Sequence, residues 1–238
     1  MKSSIIALAA ILFAGISYAG AQEAATPQAS APPSYCNPCL YYGGDFEPRQ
    51  AYATGYSNEN TVYVPNSSVY AEFGIPSGQV WEIKGLFTND LSNNGGVLDP
   101  KQAVWSVSSG MSTGNPGTVI ASGTAAPTVQ PTGRSVDNFV EYTVRVGIPQ
   151  LILGAGEYWL QVQPQCTNAG DEACTTAEFS ISNTNGTDAY GPPQAPNASF
   201  ENSAFFGADY LPLCEFDGNG GTCRLMSAGV LGYILKDE

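Results

Sequence analysis

The sequence predicts an all-β protein, an antiparallel β-sandwich of jelly-roll-like character, built as a single domain with a long loop-rich flap. Three observations carry that expectation. Apolar residues recur with a period of two along several runs, the signature of half-buried strands. The 238 residues include 27 glycines and 17 prolines, which punctuate those runs at short intervals. No stretch outside the N-terminus shows the 3.6-residue period of an amphipathic helix.

The elements follow in chain order. Met1-Lys2 and the apolar run 5–16 lead to Ala19-Gly20-Ala21, the small-x-small pattern read by signal peptidase. Residues 1–21 are therefore expected to be a signal peptide, too short for a comfortable membrane span. Residues 22–34, rich in Ala, Pro, Ser and Gln, read as a disordered linker. The folded domain is expected over 35–238.

Within it the strand-like runs are 61–64, 69–75, 80–87, 103–107, 118–122, 141–146, 150–153, 157–163, 177–183 and 225–235. Trp81, Ile83 and Phe87 alternate onto one face, with Glu82 and Lys84 on the other. Trp105 pairs with Val107. Tyr142, Val144 and Val146 point inward, which leaves Glu141 outward. Tyr158, Leu160 and Val162 share the face opposite Trp159, Gln161 and Gln163. The turn signals 94–96, 115–117 and 154–156 separate several of these runs. From 184 to 222 the rhythm breaks into a long Asn/Gly/Pro-rich segment holding Tyr190, Phe200, Phe205, Phe206 and Tyr210. Its aromatics suggest a flap packed across the sandwich.

The segments LYYGGDF (40–46), FGIPSGQVWEIKGLFTND (73–90), AVWSVSSG (103–110), GTVIASG (117–123), EYTVRV (141–146) and LGAGEYWLQVQP (153–164) together resemble a group of bacterial secreted β-sandwich proteins. Those proteins are mostly uncharacterised and are related to exosortase-sorted ectodomains. The resemblance covers most of the chain after residue 40 and implies fold and export. Its strand-and-turn motifs transfer no catalytic residue. The sequence ends at Glu238 without the Pro-Glu-Pro signal, apolar span and basic tail of the sorted members, so sorting by that route is not expected.

Composition removes whole function classes. With no histidine there is no Ser-His-Asp triad, Cys-His pair or imidazole-ligated metal. A net charge of −13, with 8 Lys and Arg against 21 Asp and Glu, argues against nucleic acid and anionic lipid as partners. No membrane insertion is expected of the mature chain, and the oligomeric state is not specified. The six cysteines of an exported chain imply three disulfides. Fifteen pairings exist in principle. The short spacings favour Cys36 with Cys39, Cys166 with Cys174 and Cys214 with Cys223. The competing reading of CNPC as a redox dithiol lacks the strand-to-helix setting such a motif uses.

Three kinds of site are candidates. Paired carboxylates would suffice for a glycoside hydrolase, although no pair is singled out. Structural Ca²⁺ would need clustered oxygens. Asp45 and Glu47 lead that expectation, ahead of 58–60, 89–90 and 217–219; the alternative for all of them is turn formation. A glycan could stack on Trp159 with Gln161 and Gln163 supplying hydrogen bonds, the alternative being that the flap or the 40–56 segment covers that face. The sequons at Asn66, Asn185 and Asn197 read as chance matches in loops. The expected function is a secreted, non-catalytic module that binds glycan or another extracellular surface ligand. Its alternatives are a structural or adhesive envelope or matrix protein and a carboxylate-pair hydrolase.

Overall fold

The computed structural model describes residues 31–46, 55–93, 100–166, 178–195, 198–213 and 225–236. The expected signal peptide and all of the linker before residue 31 lie outside them. The described elements are thirteen strands: β1 (Cys39–Tyr42), β2 (Gly55–Ser57), β3 (Asn60–Thr61), β4 (Ser68–Ser92), β5 (Gln102–Ser109), β6 (Thr118–Ala125), β7 (Thr128–Val136), β8 (Phe139–Cys166), β9 (Phe179–Thr184), β10 (Phe200–Ser203), β11 (Ala208–Pro212), β12 (Leu225–Met226) and β13 (Ala228–Lys236). The protein is all-β, as its alternation predicts, and its central order is β1-β13-β4-β8-β5-β6.

The organising feature is a ribbon of two very long antiparallel strands. β4 and β8 stay paired from Ala71↔Leu160 to Ser92↔Val140. The ribbon bends where Ile75 faces Gly156 and Val80 faces Gly154, so that 76–79 on β4 oppose Ala155 alone. Gly78 there takes φ +87°, a left-handed conformation that glycine adopts without steric cost. Beyond the bend the ribbon doubles back: Trp81 stacks on Phe73 at 6.4 Å, and the Thr88 hydroxyl reaches the Val162 carbonyl at 3.3 Å. One layer then holds β6, β5, the second half of β8, the first half of β4, β10 and β11. The other holds β1, β13, the second half of β4, the first half of β8 and β7, with β9 beside the end of β4. A folded ribbon of this kind gives a sandwich its jelly-roll-like character.

Runs that read as separate strands are thus continuous: 69–75 and 80–87 belong to β4, and 141–146, 150–153 and 157–163 to β8. Only Asn60–Thr61 of the 60–64 region is strand. Between the layers lie Phe73, Trp81, Ile83, Leu86, Trp105, Val107, Val144, Val146, Leu160 and Val162. Phe87 corrects the expected alternation. A second irregularity, where Leu231 of β13 faces Gly85 but Gly232 faces Ile83, inserts Lys84 as one extra residue of β4. Leu86 then joins Trp81 and Ile83 in the core, while Phe87 turns to the outer face with Tyr42, Cys36 and Leu231. Gly229 lies directly beneath the Phe87 ring, where a Cβ would sit 2.2 Å from a ring carbon.

Neither layer leaves its outer face bare. Phe200 of the 184–222 segment packs with Trp159 and Met111, over the outer side of β8. Residues 35–46 cover the outer side of the other layer, with Tyr35 and Tyr42 each about 6 Å from the Phe87 ring (5.9 and 5.8 Å). A disulfide joins Cys36 to Cys39 across a Cα separation of 4.8 Å. Cys166 is also disulfide-bonded; Cys174, Cys214 and Cys223 lie outside the described residues.

Candidate functional site

Alternation places Trp159, Gln161 and Gln163 together on the outer side of β8, as the sequence predicts. The structure then covers them. Their exposures are 5%, 6% and 4%. The Trp159 indole N–H donates to the Ala198 carbonyl, and its ring lies 6.2 Å from that of Phe200. Gln161 donates to the Ser68 hydroxyl at 2.9 Å and accepts from Ser106 at 2.9 Å. Gln163 donates to the Ser67 carbonyl at 2.7 Å and accepts from Gln165 at 2.7 Å. The indole therefore presents no open face for a sugar ring, and the two amides hold the 57–68 segment against the sheet.

The same region buries acids that have no cation partner among the described residues. Glu59 accepts from Ser57 and Thr61 at 3.0 and 2.9 Å, Glu201 from Ser67 at 3.2 Å, and Glu72 from the Ala195 amide at 2.9 Å. Asp90 lies between the layers, accepting from Thr88 at 2.5 Å and from Asn58 at 3.0 Å. Asn58 also donates to the Val162 carbonyl at 2.7 Å, so this polar group ties the two layers together. Burial pushes all four carboxyls up to about 7, although the hydrogen bonds pull the other way. For Glu201 the raised value matches a second buried carboxyl oxygen that has no partner.

On the opposite outer face the chemistry differs. Glu141, expected to point into solvent, is fully buried. Its carboxylate is met by the Arg134 Nε at 2.5 Å and the Thr132 hydroxyl at 2.7 Å. Arg134 also bridges Asp45 at 3.0 Å. Burial works against the guanidinium charge, but Glu141 with the Tyr42 and Tyr35 hydroxyls outweighs it and raises the Arg134 pKa. The Tyr42 hydroxyl donates to Asp45 at 2.6 Å, and Tyr35 donates to Tyr42 at 2.8 Å. Burial raises Tyr42 well above the usual phenol range and Tyr35 to about 12. Asn89 continues the network, donating to Ser227 at 2.8 Å and accepting from Thr143 at 2.7 Å. The N-terminal segment is thus locked down by a buried ionic and phenolic cluster. No sequence pattern singles it out, although a chain with only eight cations gives each arginine weight.

These placements bear on calcium. The Asp45 carboxylate is already taken up by Arg134 and two tyrosines, and Glu47 lies outside the described residues, as does 217–219. Asn89 and Asp90 point to opposite faces of β4, Asn89 into the tyrosine cluster and Asp90 between the layers, so they do not converge on one ion. Asn60 bonds Gln165 at 2.8 Å. Among the described residues, no group of three or more acidic or cysteine side chains is arranged to hold a metal ion.

Two concavities mark the described surface. A groove of about 540 Å³ at the ribbon bend is lined by Leu40, Pro76, Trp81, Tyr190 and Ile234 among others. A smaller polar cleft of about 180 Å³ lies between Ser34-Tyr35 and the β7–β8 surface. No helix among the described residues is long and apolar enough to cross a membrane. Comparison with known proteins finds no matching family profile, curated protein or solved structure.

Proposed function

We propose that this chain is an exported, non-catalytic β-sandwich module that works through assembly contacts, as a structural or adhesive component of an envelope or matrix. The observation that carries the reading is the edge strand β6. It pairs with β5 and carries no charged residue and no proline. Val119 and Ile120 stand 55% and 39% exposed on it. Unpaired amides and carbonyls beside exposed apolar side chains form a template for another strand. Three longer edges are guarded. β7 contains Pro131, Arg134 and a register shift, β11 contains Asp209 and Pro212, and β1 is flanked by a disulfide and bridged to Tyr190.

The disulfide-bonded state of Cys36, Cys39 and Cys166 supports an oxidising compartment. The resemblance of the strand motifs to secreted sandwich proteins supports export. A glycan-binding role through Trp159 would require the 198–200 segment to lift off the indole. The buried acids favour structure over hydrolysis, since each is held by hydrogen bonds inside the fold.

Sedimentation velocity across a concentration series tests the reading. The purified protein is expected to self-associate, and Val119→Lys or Ile120→Lys to leave a folded monomer. A monomer at all concentrations, or association unaffected by either lysine, would overturn it.

A further inference from the structure

The polar cleft on the outer face of β7 and β8 has the composition of a binding site. Arg145 faces Thr128 across the strand pair, and Thr143 faces Gln130 one step along, so four side chains share one rigid face. Ser34 and Tyr35 form the opposing wall. That wall is fixed by the Cys36–Cys39 disulfide and by the Tyr35 hydroxyl, which bonds Tyr42 and Asp45 at 2.8 and 3.0 Å.

The bonding inventory separates the occupied groups from the free ones. Tyr35 is committed to its cluster, Thr143 donates to Asn89 at 2.7 Å, and the Thr128 hydroxyl reaches the Arg145 carbonyl at 3.5 Å. Among the described residues, the Arg145 guanidinium, the Gln130 amide and the Ser34 hydroxyl make no side-chain hydrogen bond or ion pair. Arg134, by contrast, bonds both Glu141 and Asp45. A half-buried guanidinium without an acidic partner is unusual in a chain of net charge −13, where acids outnumber cations 21 to 8. Its planar fork matches a carboxylate in bidentate geometry.

We propose that this cleft binds the carboxylate of an acidic sugar, a hexuronate or a uronate residue of a polysaccharide. Arg145 takes the carboxylate, while Gln130, Ser34 and Thr128 meet the ring hydroxyls. Charge argues for a single negative group. The lining holds one cation, Arg145, while Arg134 nearby is matched by Asp45 and Glu141, so a single negative charge suits the cleft better than a dianionic phosphate. The lining argues for a sugar. Apart from the Tyr35 ring it offers hydroxyls and an amide, with no aliphatic pocket for an amino-acid side chain. A cleft of about 180 Å³ suits one ring rather than a drug-sized ligand. The site lies on the layer opposite β6, so the proposal stands apart from assembly through that edge.

Isothermal titration of the purified protein with glucuronate and galacturonate, beside glucose, acetate and inorganic phosphate, tests it. A uronate is expected to bind with Kd on the order of 1 mM. Glucose and acetate should each bind at least about tenfold more weakly, since one lacks the charge and the other the ring. Arg145→Gln should cost at least tenfold with an unchanged melting temperature, and Gln130→Ala should weaken binding while leaving the guanidinium in place. If Arg145→Gln fails to fold, Gln130→Ala and Arg145→Lys decide, the lysine keeping the charge but losing the fork. Undetectable uronate binding at roughly 50 mM, equal binding by Arg145→Gln, acetate binding as tightly as uronate, or tighter phosphate would each overturn the assignment.

Discussion

Glu141 and Asp90 are both acids on the central ribbon, both fully buried, and are treated oppositely by their surroundings. Glu141 lies on the outer face beneath the N-terminal segment and is matched by Arg134. Asp90 lies between the layers with only Thr88 and Asn58 as donors, and burial lifts its carboxyl from 3.8 to about 7. Glu59, Glu72 and Glu201 follow Asp90. The fold therefore solves buried acidity in two ways: a cation on one side, a proton on the other. The first leaves a charge pair whose partners depend on each other. The second leaves neutral hydrogen-bonding groups whose stability contribution depends on pH.

The largest expected effect breaks the cation-matched side. Arg134→Met leaves Glu141 buried beside Thr132 alone and removes the bridge to Asp45. Loss of one partner of a buried pair typically costs about 3–5 kcal/mol. Urea unfolding at pH 7.5 is expected to show a loss of that order. The double substitution Arg134→Met with Glu141→Gln should recover a large part of it, because the orphaned charge is then gone. A loss under about 1 kcal/mol for the single variant would mean that the pair is solvated and the contrast false.

The second prediction concerns the proton-matched side. Folded-state values near 7 exceed the ordinary carboxyl values of 3.8 to 4.5, so the folded chain binds these protons more tightly than the unfolded chain. Their stabilisation is fully present below about pH 4 and is lost as pH rises to about 7. This is the reverse of a carboxylate held by an arginine. For one carboxyl the loss is on the order of 3 kcal/mol. Unfolding free energies measured from pH 4.5 to 8 should therefore fall with pH. Asp90→Asn, which keeps an acceptor for Thr88 without a titrating proton, should flatten part of that slope. A profile that rises with pH over this window, or one untouched by Asp90→Asn, would contradict the assignment.

The contrast also marks how much the sequence reveals. Alternation in 103–107, 141–146 and 157–163 identifies the faces of β5 and β8, because a strand's side chains follow a period of two whatever lies nearby. Alternation names two faces but not what covers the outer one. For that reason Trp159 and Glu141 both read as outward and both prove buried, one under 198–200 and the other under the 35–46 segment with Arg134. For Trp159 the covering chain is distant in sequence, whereas the partners of Glu141, Thr132 and Arg134, come from the adjoining strand β7. Phe87 fails for a different reason: the one extra residue at Lys84 leaves the composition of the run unchanged while exchanging its faces. β7 carries a legible warning in Pro131, which within a strand marks an edge. The carboxyls raised to about 7 have no signature, since only a neighbouring cation or its absence separates Asp90 from Glu141.

The smallest effect sharpens the matched cluster at one atom. Tyr35→Phe removes the hydroxyl that bonds Tyr42 and Asp45 and keeps the ring against Phe87. Asp45 retains the Tyr42 hydroxyl at 2.6 Å and Arg134 at 3.0 Å. The phenol has one proton, shared between Tyr42 and Asp45, and losing that donor from a network that stays otherwise satisfied costs about 1 kcal/mol. Urea titrations of Tyr35→Phe at pH 7.5 are expected to show that loss, well short of the loss in Arg134→Met. A cost approaching that of Arg134→Met would shift the weight of the clasp from the ion pair to its phenols. No measurable cost would instead mean that disulfide and ring packing alone hold the N-terminal segment over Glu141.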